Sequence, residues 1–530
     1  MTSAAFTING TAAPCAVSVL YGATVTFAAT DLVGAQGPIE WTIIGSSKST
    51  YTNPTLTAGG IPTGSTATCT QIADPSTGLG ASFVVQCTVR DSLNNVYTQT
   101  CVFGTRNSAG IVPLASGETA ARSNTHGWVE TVNQAMIAGS SVHNITTYGA
   151  KTDPTFDSAA SIQAAINAVV AAGGGVVYFP PGLWRVDSTL TIASSVPIQF
   201  VGEGHASCIG WDFVGDLFSF SVGMSGVCFR DLLIIPAGTI AGGNYAIKFV
   251  AGCIRSTFSH VHVAGSLLLG AYNGGGGIDL GAVTDTIDID DFIIGGTSTG
   301  GTGIRIGAGS EVRINGGRIL GVGTPGSATA STGILLTGGN GGVHITRSDV
   351  STHGINVLSE ATASGTNREL FLSDATLDSG VVGLQIDDSV LCYCSNTWIG
   401  AHNDYSILTK SGQTPHIFYS GGTIYKTGVV TGAGHGAYLL SGSIALSGVH
   451  IEENIGTGVY YSVTGPAAVT AATMVTIGGG CQITNNNKAA DLTNCPSYCV
   501  VGNYIGLNTT GASLGATGAE CIWEYNAGTG

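Results

Sequence analysis

Residues 143–187 read HNITTYGAKTDPTFDSAASIQAAINAVVAAGGGVVYFPPGLWRVD. Asp157 or Ser158 can cap a helix, and Ile162, Ala165, Ile166 and Val169 follow at helical spacing. That pattern predicts a helix near 158–172. Gly173, Gly174 and Gly175 end it, 176–179 reads as a strand, Pro180, Pro181 and Gly182 as a turn, and 183–186 as a second strand.

Downstream the chain repeats. Similar segments occur at 229–234, 258–263, 289–294, 314–319, 345–350, 372–377, 394–399, 419–424 and 446–451, with a last copy ending at Ile483. Their terminal apolar residues stand at 234, 263, 294, 319, 350, 377, 399, 424, 451 and 483, at intervals of 22 to 32. A fixed core with loops of variable length is the mark of a solenoid. A second strand follows a glycine in several units, at 277–280, 303–306, 333–336, 354–357 and 383–386. Units of strands and turns without a helix predict a parallel β-helix.

The opening stretch resembles the start of the pectate-lyase-3-type right-handed parallel β-helix found in bacteriophage tailspikes and polysaccharide depolymerases. The matching residues are Tyr148, Gly149, Ala150, Lys151, Asp153, Asp157, the run from Ile162 to Ile166, Gly173 to Gly175, and Tyr178 to Gly182. Pro154, Thr155 and Phe156 depart from the usual Gly- and Asp-rich loop. The resemblance implies an all-β fold, a right-handed parallel β-helix over 143–487 with the helix capping its N-terminal end. It also implies a bacterial surface polysaccharide as partner and a homotrimeric assembly.

Composition agrees with a solenoid. The chain has 530 residues, of which 81 are Gly and only 9% are charged, against about 25% in an ordinary domain. Rungs stacked ~4.8 Å apart make outward ladders in which repeated like charges repel, so Ser, Thr, Asn and Gly fit better. The net charge of −15 argues against nucleic acid, and no apolar run reaches the ~20 residues of a membrane span. The 13 cysteines are an odd number and read as buried free thiols, with a disulfide among Cys15, Cys69, Cys87 and Cys101 as the alternative. The N-terminus lacks the basic and apolar regions of a secretion signal.

Residues 1–105 alternate as short strands at 16–20, 24–28, 40–44, 82–89 and 96–103, which predicts a small immunoglobulin-like β-sandwich. In a tailspike-like protein it would attach to the phage tail or baseplate. Residues 106–142 read as a linker with a short helix near 128–137, and 488–530 as a β-rich C-terminal cap.

Alternation also assigns outward columns. The residue before each terminal apolar position reads Arg318, Asp349, Thr376, Trp398, Thr423, His450; the residue after it reads Leu320, Ser351, Asp378, Gly400, Tyr425, Glu452. Adjoining loops add His402, Asp404, Lys426 and Glu453. Aromatic rings stack on sugars, and paired carboxylates cleave glycosidic bonds, so this face predicts a saccharide groove. The catalytic candidates are Glu452, Asp404, Asp378 and Glu453. Trp398, His402, Tyr425, His450, Asp349 and Lys426 are the substrate-binding candidates. Glu452 and Asp404 would lie two rungs apart, near ~9.6 Å, a separation suited to inversion. Glu453 would raise the pKa of Glu452 if the two carboxyl groups converge.

A hydrolase of this kind needs no cofactor. A lyase could hold Ca²⁺ on Asp285, Asp288, Asp290 and Asp291, with Arg313 or Arg318 as base. The expected function is a virion tail protein, made in the host cytoplasm, that binds and hydrolyses a surface polysaccharide. The alternatives are a non-catalytic receptor-binding appendage and a polysaccharide lyase.

Overall fold

The computed structural model describes 141–530 apart from short stretches, chiefly 264–274, 322–330, 361–367, 429–433, 463–473 and 515–520. Before residue 141 it describes the backbone of strands between Ala5 and Arg106. The chain divides into two compact units, Met1–Val142 and His143–Gly530.

In the first unit, five strands (Ala5–Ile8, Thr11–Ala12, Thr24–Thr30, Leu56–Ala58, Thr66–Thr70) form one sheet. Four others (Val17–Leu20, Glu40–Ser46, Ser82–Arg90, Val96–Arg106) form a second. The expected linker helix near 128–137 and the side chains of Cys15, Cys69, Cys87 and Cys101 lie outside the described residues.

The second unit is a right-handed parallel β-solenoid. A helix, Ala159–Ala171, covers its N-terminal end and buries Ala159, Ile162, Ala165, Ile166 and Val169. Asp157 rather than Ser158 supplies the capping side chain, accepting from the Ala159 and Asp187 amides at 2.9 and 3.1 Å. Gly173 and Gly174 close the helix with φ of +83° and +129°.

Each rung presents three faces. The rung at 390–409 has Val390–Ser395 on the first face, Trp398–Gly400 on the second and Tyr405–Thr409 on the third. The segments 229–234 and 258–263 lie within single strands, Cys228–Pro236 and Cys253–Val263, whereas from 289–294 onward each expected strand is two short strands joined by a corner. The third residue of every copy has a positive φ: Asp231, His260, Asp291, Gly316, Arg347, Asp374, Asn396, Gly421 and Gly448. Asp, Asn and Gly tolerate that conformation best, and they fill seven of these nine positions.

A second corner follows the second face, at Thr352, Ser379, Ala401, Lys426, Glu453, Asn485 and Leu507. Residues 488–530, expected as a cap, continue the same ladders through Lys488–Leu492, Tyr498–Val501, Tyr504–Gly506 and Cys521–Glu524.

The interior is layered by type. Phe200, Phe229 and Phe258 stack at centroid separations of 4.5 and 5.8 Å near the N-terminal end. Ile319, Val350, Leu377, Ile399, Ile424, Ile451 and Ile483 form a fully buried column farther along. Eight described cysteines are free thiols, six of them buried, as the sequence reading expects of core thiols.

Inside the second corner runs an amide ladder of Asn454, Asn486 and Asn508. Asn486 accepts from the Asn454 amide and side chain, and donates to the Ile451 carbonyl and to Asn508. Asn486→Ala leaves these buried partners unsatisfied and is expected to cost about 3 kcal/mol, read as a lowered unfolding midpoint with local loss of hydrogen-exchange protection.

Candidate functional site

Strand register fixes the second face. One outward column runs His262, Ile293, Arg318, Asp349, Thr376, Trp398, Thr423, His450, Gln482 and Tyr504. The other runs Leu320, Ser351, Asp378, Gly400, Tyr425, Glu452, Thr484 and Gly506. Both columns agree with the sequence assignment, because each terminal apolar residue points inward and its neighbours outward.

Asp349 and Asp378 lie one rung and two residues apart, about 8 Å between Cα atoms from ordinary strand dimensions. Burial raises the Asp378 carboxyl above its usual range, hydrogen bonds to Ser379 oppose the rise, and the charge of Asp349 adds to it. The Arg318 guanidinium pairs with Asp349, Nε to Oδ2 at 3.0 Å. The two neighbouring carboxyl groups thus occupy different surroundings, Asp378 partly buried and Asp349 ion-paired with Arg318.

Aromatic surface follows one rung on. Trp398 is 36% exposed, and its ring centroid lies 5.1 Å from that of Tyr425. The indole lies across Gly400, where an added Cβ would stand 3.1 Å from Trp398 Nε1. Glycine here lets the ring lie against the sheet as a platform.

The Tyr425 hydroxyl donates to Glu453 Oε2 at 3.0 Å, and that bond raises the phenol above its usual value. Glu453 sits on the second corner at φ +56°, turned toward Tyr425, while Glu452 belongs to the strand before it. Lys426 is exposed on the preceding corner, and His450 is exposed on the strand that also carries Glu452.

Two candidates fall elsewhere. His402 is fully buried inside the second corner and cannot reach a substrate. Its Nε2 accepts from Asn356 at 3.0 Å, and Nδ1 faces Ser406 Oγ at 3.4 Å. Asp404 follows the second corner and directly precedes the third-face strand Tyr405–Thr409. The rung count of ~9.6 Å to Glu452 is therefore only the axial part of their separation.

The acidic group at 285–291 is paired side by side with the neighbouring rungs. Asp285 accepts from Ser310 at 2.9 Å, Asp288 from Arg313 at 3.3 Å and Asp290 from Asn315 at 3.1 Å. Asp291 faces His260 at 3.0 Å. Among the described residues no group of three or more His, Cys, Asp or Glu is arranged to hold a metal ion.

Sequence reasoning missed a histidine cluster at the N-terminal end of the same face. His205 rises from a bulge in the strand Ile198–Trp211 and bonds His262, and His260 lies between Asp231 and Asp291 at 3.6 and 3.0 Å. Asp231, His260 and Asp291 are successive first-corner residues, so corner spacing was the available signal.

Comparison with known proteins accords with the opening stretch. The family model described as rhamnogalacturonase A/epimerase, pectate lyase-like, matches residues 142–212. Mannuronan C5-epimerase AlgE2 of Azotobacter vinelandii is 44% identical over 80 residues, which is 13% of this chain and 8% of that protein. Alginate lyase 7 of the same organism is 42% identical over 80 residues, 13% of this chain and 9% of that protein. The chain thus matches a small part of these relatives' length.

Among solved structures, the AlgE4 A-module of A. vinelandii aligns with 74% of this chain and 100% of its own at 16% identity and a TM-score of 0.42. The Dettilon tailspike protein aligns with 70% of this chain and 68% of its own at 14% identity and a TM-score of 0.43. No helix among the described residues is long and apolar enough to cross a membrane.

Proposed function

We propose that the chain is a tailspike-like protein that binds a bacterial surface polysaccharide along the second face and hydrolyses it there. The observation that carries this reading is the Asp349–Asp378 pair beside the Trp398–Tyr425 platform. Asp378, held toward its protonated form, donates a proton to the glycosidic oxygen. Asp349, its charge paired with Arg318, serves as the second carboxylate. The aromatic rings offer a flat apolar surface to the next sugar.

Glu452, Glu453, His450 and Lys426 extend the polar surface along the axis and bind rather than cleave. The matched curated relatives include mannuronan epimerases and an alginate lyase, and the aligned structures include a tailspike, which supports a long glycan as the ligand. On this reading the protein is a homotrimer in the virion tail, attached through Met1–Val142, and the glycan is its host receptor.

Trp398→Ala tests the platform. Polysaccharide binding, measured by affinity electrophoresis, is expected to weaken about tenfold or more with the unfolding midpoint unchanged, since the ring is surface-exposed. Wild-type affinity in that variant would remove the second face as the binding surface.

A further inference from the structure

The first face carries a separate aromatic ladder. Register places Arg313, His344, Phe371, Tyr393, Phe418, Ala445 and Thr476 in one outward column. Successive rings from His344 to Phe418 stack at 4.5, 5.1 and 5.1 Å, with planes 7°, 8° and 14° apart. Rings stacked this way cover one another's faces and show only edges to solvent. Phe418 is the exception. Tyr393 covers one of its faces, but the next rung offers only the methyl group of Ala445, and Phe418 is 44% exposed.

A groove of about 600 Å³ runs along this face over four rungs, from Tyr393 and Ser395 past Phe418 to Thr476 and Gly479. On the side of the bare face Ala445, Ser447 and Thr476 line it together with Ser420, and no charged residue is among the lining groups. The ridge between this groove and the second face is also unusual. Arg347, Asp374 and Asn396 occupy the first corner in earlier rungs, whereas Gly421, Gly448 and Gly479 occupy it here. The Asn396 and Ser447 side chains lie against Gly421 and Gly479, while at Gly448 an added Cβ would meet nothing nearer than 3.8 Å, so the corner is open there, beside Thr423 and His450.

We propose that this groove is a second saccharide subsite that takes an uncharged pyranose unit. The unit stacks on the free face of Phe418, and its hydroxyls bond Ser420, Ser447 and Thr476. The chemistry selects a neutral sugar. A flat apolar ring matches the C–H face of a pyranose, hydroxyl side chains match its hydroxyls, and nothing in the groove would balance a uronate charge. The groove exists independently of the catalytic reading. That the same polymer occupies both faces rests on the proposed function and on the open corner at Gly448.

The test uses Phe418→Ala, which removes the platform, and Ala445→Tyr, which continues the ladder and fills the groove. Each is made in the full chain carrying Asp378→Asn, so that binding is read without turnover. Affinity electrophoresis in gels of dextran, galactan, mannan, polymannuronate and polygalacturonate supplies the probes, and sedimentation gives the oligomeric state. A neutral polymer is expected to be retained, about tenfold more weakly by both variants, with sedimentation unchanged.

Undiminished retention in both variants while Trp398→Ala loses it would overturn the second subsite and leave the second-face reading standing. A change of oligomeric state in Phe418→Ala would make the groove a contact between copies of the chain and would equally overturn it. Retention of none of the polymers, or of the polyuronates alone, would also overturn it.

Discussion

Asp378→Asn is expected to lower glycan cleavage by about a hundredfold or more while leaving binding in place. The size follows from the role: without a proton donor the leaving group departs as an alkoxide, and general acid catalysis of this type supplies a factor of about 10² to 10⁴. The same variant separates function from structure. Burial and the charge of Asp349 raise the folded-state pKa of Asp378 above its unfolded value. Whatever stability this group contributes is therefore present in acid and is lost as pH rises through the raised value. Asn carries no charge, so at neutral pH the unfolding midpoint is expected to stay level or rise. A fall in activity with a level or higher midpoint marks a residue held in place for chemistry. Loss of both together would mark a structural one.

A second large effect concerns acid. His353 and His402 are buried in the same inner corner column, at 1% and 0% exposure, and burial holds both down at about 3. The surroundings of His402 require the neutral ring. Asn356 donates to Nε2, and Ser406, facing Nδ1, is itself bonded to Thr427 at 2.6 Å. A proton on Nε2 would set two donors against each other.

Because the folded values are depressed, the stability tied to these rings is complete above the unfolded value near 6.5 and is lost as pH falls toward 3. At pH 4 each histidine is expected to cost about 3 kcal/mol relative to neutral pH. His402→Asn places in this column the residue that Asn454, Asn486 and Asn508 already supply farther along. Its unfolding free energy is expected to fall less steeply between pH 6.5 and 4 than that of the wild type. Parallel curves for the two proteins would contradict the buried neutral state.

The second-face columns were legible because alternation survives within a strand. Ile451 points inward, so His450 and Glu452 point outward, and the register shows both columns as read. Alternation does not pass through a corner. Ala401 at φ +57° turns the chain from the second face toward the third, which carries His402 to the interior and sets Asp404 at the start of the third face. The first corner was hidden inside segments expected to be straight, although its run of Asp, Asn and Gly at the third position carried the signal.

The relation between Asp349 and Asp378 needed more than column membership. It depends on a diagonal between two columns and on the burial of one carboxyl, and neither is visible in one dimension. The bare face of Phe418 was hidden for a similar reason. It arises from what the neighbouring rung lacks, an aromatic ring at Ala445, and absences of that kind appear only once the rungs are aligned.

Cleavage of a glycan on the second face by hydrolysis can be read directly. The most direct measurement incubates the full chain with bacterial capsular and O-polysaccharides, beside Asp378→Asn, and follows new reducing ends together with far-ultraviolet absorbance. New reducing ends, no unsaturated product, and loss of the signal in the variant are expected. Unsaturated uronate ends would instead indicate a lyase. Intact polymer in the presence of a protein that binds it would contradict catalysis and leave a receptor-binding appendage.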